Sequence, residues 1–103
     1  MQQLRLTRHA SERLQQRGSR EKDVAIVMTY GDIEVPARNG GRFLRLSRSE
    51  AARLQRQAIL AVRDVDRARR LLVLTDPSDR VVTVIKCDPE RRTMDFRHAR
   101  GRR

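Results

Sequence analysis

The 103-residue chain has one cysteine, no tryptophan and three prolines. A lone Cys87 excludes an intrachain disulfide and any zinc site built from several cysteines, and it agrees with a reducing compartment. The aromatics are Tyr30, Phe43 and Phe96 alone. So few rings cannot assemble a stacking platform for single-stranded bases, and a nucleic acid would be held mainly through its phosphates, with arginine planes available for stacking. No apolar run approaches the roughly 18 to 20 residues that span a bilayer. The opening carries Arg8, His9 and Glu12 where a signal peptide would have an apolar stretch. These absences predict a cytoplasmic chain with no membrane partner. Acidic residues are scarce too: 13 Asp and Glu stand against 24 Lys and Arg, a net charge of +11.

The basic residues are almost all arginine, with Lys22 and Lys86 the two exceptions. An arginine fork grips phosphate bidentately, which suits a nucleic-acid partner. A high-GC genome also favours arginine, so the ratio alone does not choose. The field of +11 on so small a surface predicts an anionic partner, RNA or another nucleic acid, or an acidic protein. The alternative is a solvated basic surface with no partner. The charge is concentrated at the ends. Residues 1–20 hold five Arg and one Glu, and residues 90–103 hold six Arg against Glu90 and Asp95.

With 38% hydrophobic and 36% charged residues and a mean hydropathy of −0.73, the chain has apolar material for one core. The composition divides it into a domain over 1–90 and an Arg-rich tail over 91–103. Leu4–Thr7 alternates as a short strand does. Thr7 is placed to cap a helix over 8–17 that Gly18 ends, and Ser19 to cap a second over 20–30 that Gly31 ends. Two β-type runs, 33–36 and 42–46, flank Asn39-Gly40-Gly41 and predict a hairpin. Ser47 and Glu50 fit a capping box. Beyond them Ala51, Leu54, Ala58, Ala61, Val62 and Val65 share a face of a third helix from Ser47 to Arg69, with a break near Gln57. The runs 70–75 and 80–86 are the clearest strands, joined by Asp76-Pro77-Ser78-Asp79. A short extended piece is expected around Met94–Phe96. The order predicts an α+β fold: a small antiparallel sheet of about four to five strands with helices packed on one face.

His9, Arg13 and Arg17 recur at i, i+4 and i+8, so they stack along one face of the first helix. Like charges at that spacing repel, and an anion lying across them relieves the repulsion. Cleavage of an RNA phosphodiester needs a group that exchanges protons near neutral pH and cations that hold the phosphoryl oxygens. His9 fits the first role, Arg13 and Arg17 the second. The bland reading is a salt-laced surface, since Glu12 lies four residues after Arg8.

The run Thr7-Arg8-His9-Ala10-Ser11-Glu12-Arg13-Leu14-Gln15-Gln16-Arg17-Gly18, with Val82-Thr83-Val84-Ile85 later, resembles a bacterial family of small uncharacterised domains. That family starts T-R-H-A-x-x-R-x-x-x-R-G, closes on a strand ending in T-V, and is grouped with BrnT and RelE type toxins among the metal-free ribonucleases. The resemblance spans Leu4 to Lys86. It implies a RelE/barnase-like fold with His9, Arg13, Arg17 and Thr83 as catalytic positions and Arg8 in support. It also implies an endoribonuclease of a toxin-antitoxin pair, with an acidic antitoxin as protein partner. The departure is the Ser47–Arg69 helix, placed to cover the sheet face where RNA would lie.

Other candidates are weaker. Lys86 adds a cation to the nucleic-acid-binding set of Arg8, Arg13 and Arg17, but it alternates onto the strand face opposite Thr83. His98 invites a two-histidine scheme with His9 from within the tail. Cys87 and Asp88 have no surrounding nucleophile motif, and neither a metal site nor a cofactor fingerprint has a recognisable spacing. Two rivals remain. One is a non-catalytic module that holds nucleic acid or protein; the other is a structural domain with His9 buried and hydrogen-bonded.

Overall fold

The structure, a computed structural model, describes residues 4–87, and of Arg17 the backbone alone. The extended piece at 94–96, His98, Asp88 and the tail over 91–103 lie outside the described residues. The elements run α1 (Arg8–Arg17), α2 (Glu21–Tyr30), β1 (Ile33–Pro36), β2 (Arg42–Arg45), α3 (Arg48–Arg56), α4 (Val62–Arg69), β3 (Leu71–Thr75) and β4 (Val81–Lys86). The α+β expectation holds: four helices accompany one antiparallel sheet in the order β1-β2-β3-β4.

Local chemistry sets the ends of α1. The Thr7 hydroxyl accepts from the Ala10 N–H at 3.1 Å, and Gly18 takes φ +68. That left-handed step turns the Gly18 and Ser19 N–H groups back to the carbonyls of Gln15 and Leu14. Ser19 does not cap α2. The N-cap is Arg20, whose backbone N–H donates to the Asp23 carboxylate at 3.4 Å. The capping box at α3 is half made: Ser47 Oγ accepts from the Glu50 N–H at 3.0 Å. The Glu50 carboxylate pairs with Arg53 instead, and the Ser47 N–H goes to Asp32 at 2.9 Å.

The expected Ser47–Arg69 helix is two helices. Ala58 adopts φ +52 after the Gln57 C-cap, and the chain re-enters helix at Val62. Ala58, Ala61 and Val62, expected on the apolar stripe, are exposed, and the stripe resumes with Val65 and Ala68. The break folds α4 back against both α3 and α2, which a straight continuation could not reach.

The segment before α1 is not a full strand either. It makes a single parallel bridge, Leu6 to Val81, before Thr7 is taken up as a cap. The β1–β2 hairpin forms as expected, through a turn in which Asn39 and Gly40 have φ +58 and +79. Gly41 is needed there for space, since a Cβ would stand 2.2 Å from the Thr75 carbonyl oxygen.

One cluster forms the core. Ala10 and Leu14 of α1, Val24, Ile26 and Val27 of α2, Ala51 and Leu54 of α3, and Val65 and Ala68 of α4 meet Leu44, Leu71, Val73, Val81 and Val84 of the sheet. The Leu44–Val73–Val84 row therefore marks the face that all four helices cover. Leu54 is wholly buried. Leu54→Ala should lower the unfolding free energy by about 2–5 kcal/mol, read as a fall in the urea midpoint with an unchanged slope.

At the β3–β4 turn, Asp76 accepts from Ser78 Oγ at 2.8 Å, from the Arg80 backbone N–H at 3.0 Å and from the Ser78 N–H at 2.9 Å, with Arg80 beside it. The Ser78 hydroxyl first, then these N–H donors, pull its pKa from 3.8 down to about 2. A depressed carboxylate stabilises the fold above its unfolded pKa and loses that contribution as pH falls through the folded one. Asp76 should therefore titrate near pH 2 by carboxyl carbon NMR. Asp76→Asn should remove part of the stability that the wild type loses between about pH 4 and pH 2.

Candidate nucleic-acid interface

Helix α1 packs on β4 through Ala10 and Leu14, which fixes where its remaining positions point. His9 is exposed, which removes the reading in which it is a buried, hydrogen-bonded core residue. Arg8 is exposed and its Nε donates to Glu12 at 3.3 Å, an i, i+4 pair on the solvent side. Arg13, one turn after His9, is half-buried. Its Nε is withdrawn from solvent without an acceptor, and it has no ion pair among the described residues. Arg17 follows one turn later, where the helix backbone places it on the same side as Arg13.

The strand residues do not join this group. Thr83 pairs with Leu74 and so lies on the face opposite the Val73–Val84 pair, away from the helices. Lys86 alternates onto the helix side, at the far end of β4 opposite Leu71. The structure thus brings His9 and Arg13 together, with Arg8 adjacent. Thr83 is on the other side of the sheet. Cys87, half-buried, donates its backbone N–H to Arg70 at 2.7 Å. Among the described residues, no three His, Cys, Asp or Glu side chains cluster as a metal site would require. No described helix is long and apolar enough to cross a membrane.

Much of the charge is spent internally. Asp23, 2% exposed, receives the Arg20 Nη2 at 2.6 Å and the Arg67 Nε at 3.3 Å. Asp64, 8% exposed, receives Arg20 at 3.1 Å and Lys22 at 3.0 Å. Arg67 also reaches the Gly18 carbonyl at 3.4 Å, so the network ties the end of α1 to α2 and α4. The hydrogen bonds from Lys22 and Arg20 hold the Asp64 carboxyl below its ordinary pKa, and those that Arg20 donates to Asp23 and Asp64 raise its own. The sequence reading missed this network because its members sit 44 positions apart along the chain. The only local signal was Asp23 three residues after Arg20. Arg42 is spent similarly, bridging Glu34 on β1 at 2.9 Å and Asp79 in the β3–β4 turn at 2.5 Å.

What is left over is uneven. Arg5, Arg13, Arg38, Arg45, Arg48, Arg56, Arg63, Arg69 and Arg70 carry no ion pair to a described residue, and Arg69 shares with Arg13 a buried Nε without an acceptor. Arg56 and Arg63 flank the α3–α4 break, beside the exposed Ile59 and Val62. Among the described residues, uncompensated positive charge stands one turn from an ionisable imidazole on α1, where Arg13 follows His9. No protein-family model, curated protein or solved structure matches this chain.

The two kinds of ion pair should separate by mutation. Asp23→Ala removes the buried acceptor that Arg20 and Arg67 share, although both cations keep access to water and Arg20 keeps Asp64, and should cost about 2 kcal/mol, whereas Glu12→Ala on the open surface should cost about 0.3 kcal/mol. Chemical unfolding of both variants at neutral pH checks the difference.

Proposed function

We propose that this chain is a cytoplasmic RNA-binding domain that takes hold of phosphates along α1. The observation that carries this reading is Arg13, whose Nε is withdrawn from water with no acceptor beside exposed His9. The buried Nε holds the Arg13 guanidinium against the protein, and its outer nitrogens, which make no hydrogen bond to a described residue, are left to take a phosphate oxygen. The like-charged spacing of Arg13 and Arg17 supports an extended polyanion over a compact one. The shortage of aromatics supports backbone contacts over base readout.

A second reading is favoured by one further observation, the solvent access of His9 one turn from Arg13. In it the domain is a metal-independent endoribonuclease of the toxin-antitoxin type, as the T-R-H-A-x-x-R-x-x-x-R-G resemblance implies, with an acidic antitoxin covering the same basic face. His9 would take the 2′-hydroxyl proton and Arg13, with Arg17, would hold the phosphoryl oxygens. Thr83 has no place in such a site, because the sheet separates it from α1.

Purified protein incubated with total RNA in EDTA, beside His9→Ala and Arg13→Ala variants, tests both readings. Binding should weaken with salt, the logarithmic slope changing by about 0.7 per phosphate contact, and Arg13→Ala should remove about one such unit. Cleavage that His9→Ala abolishes without weakening binding supports the nuclease reading. RNA retained but left intact supports the binding module. Absence of any salt-dependent retention contradicts both.

A further inference from the structure

The last turn of α4 repeats the feature that distinguishes Arg13. Arg69 is half-buried, and its Nε is withdrawn from solvent without an acceptor. Arg13 and Arg69 are the two described residues with such an atom. The outer nitrogens of Arg69 are not buried, and they make no hydrogen bond or ion pair to a described residue. Arg70, the C-cap of the same helix, is exposed and equally unpaired, and exposed Asp66, one turn earlier, pairs with neither. The negative end of a helix dipole favours cations at such a place. That accounts for two arginines in the turn, but it leaves their N–H groups unused.

The fold sets this turn beside the end of α1. Arg67 bonds the Gly18 carbonyl at 3.4 Å, so α1 stops against the same turn of α4 that carries Arg69 and Arg70. Arg13 precedes the last residue of α1, Arg17, by one turn, about 6 Å along the axis. Beyond the turn Arg70 leads directly into β3, and its carbonyl accepts from the Cys87 N–H at 2.7 Å.

We propose that Arg69 and Arg70 form a second phosphate contact, so that an RNA backbone held at Arg13 continues over the Gly18–Arg67 junction onto the end of α4. The inference rests on the α1 reading and adds a direction to it: the strand leaves α1 at its C-terminal end. An Nε held against the protein fixes a guanidinium with its outer nitrogens presented, which suits the oxygens of a phosphate. Arg67 between the two contacts is committed to Asp23 and serves as the tie between helices. Unpaired charge alone does not mark the path. Arg56 and Arg63 are unpaired too, but they have no buried Nε and stand at the α3–α4 break, at the other end of α4. The surface between the contacts also favours a backbone over an acidic protein. A protein interface needs an apolar centre, whereas Gly18 and Arg67 offer none.

Fluorescence anisotropy of a labelled single-stranded dodecanucleotide RNA, followed over a salt series with the full chain, tests this. Arg69→Gln and Arg70→Gln should each flatten the logarithmic salt slope by about 0.7, the share of one phosphate on a single strand. Arg56→Gln and Arg63→Gln should leave the slope unchanged. Should Arg69→Gln fail to fold, Arg70→Gln, at an exposed position, carries the test alone. A slope lowered by Arg13→Ala but by neither α4 variant overturns the proposal and leaves the α1 reading standing. An equal loss in all four glutamine variants reduces the effect to net charge and overturns it as well. A wild type without salt-dependent binding overturns both readings. Poly-glutamate bound as tightly as the RNA, with the same loss in Arg69→Gln, makes an acidic protein the occupant and overturns the assignment to phosphate.

Discussion

Withdrawing two carboxylates from water is expensive, and the helical layer is arranged so that Asp23 and Asp64 never lie far from a cation. Arg20 stands between them at 2.6 and 3.1 Å, Lys22 closes one side and Arg67 the other. Because Arg67 also bonds the Gly18 carbonyl, the network sets how α1, α2 and α4 meet. Apolar contacts within the core cluster, to which Val24, Val65 and Ala68 belong, supply the driving force, but they are non-directional. The ion pairs select one orientation among those that bury the same surface. The position of α1, and with it the aim of His9 and Arg13, follows from that selection.

This division of labour sorts the arginines. Those that face a carboxylate, such as Arg20, Arg42, Arg53 and Arg67, serve the fold. Those without a described partner are what can be offered to an anion. A net charge of +11 counts both kinds alike. Arg13 and Arg45 show why the structure matters, since both lack an acceptor among the described residues but lie on opposite sides of the sheet. Arg13 borders solvent and an imidazole. Arg45, 4% exposed, is nearly closed off from solvent.

Elements governed by neighbouring residues were legible in the sequence. Thr7 and Gly18 delimit α1, Asn39-Gly40-Gly41 turns the first hairpin, and Asp76-Pro77-Ser78-Asp79 turns the second, each through contacts within a few positions. Elements decided by tertiary packing were not. Ser19 lost the cap of α2 to Arg20 because Asp23 is drawn into the ion network. Ala58, Ala61 and Val62 satisfied a helical stripe by spacing alone, but the chain breaks there so that α4 can reach α2. For the candidate site, helical spacing correctly stacked His9 with Arg13. The strand motif that suggested Thr83 carried no information about which face it would take once β4 was paired.

Mapping the RNA contact surface by NMR tests the central claim most directly, that charge left uncompensated on α1 is the surface an anion meets. On titration with a short single-stranded RNA at low salt, the backbone amides of residues 8–17 should shift, with the His9 ring signals moving alongside. Shifts centred on Phe43, Leu74 and Thr83, with α1 undisturbed, would contradict the account.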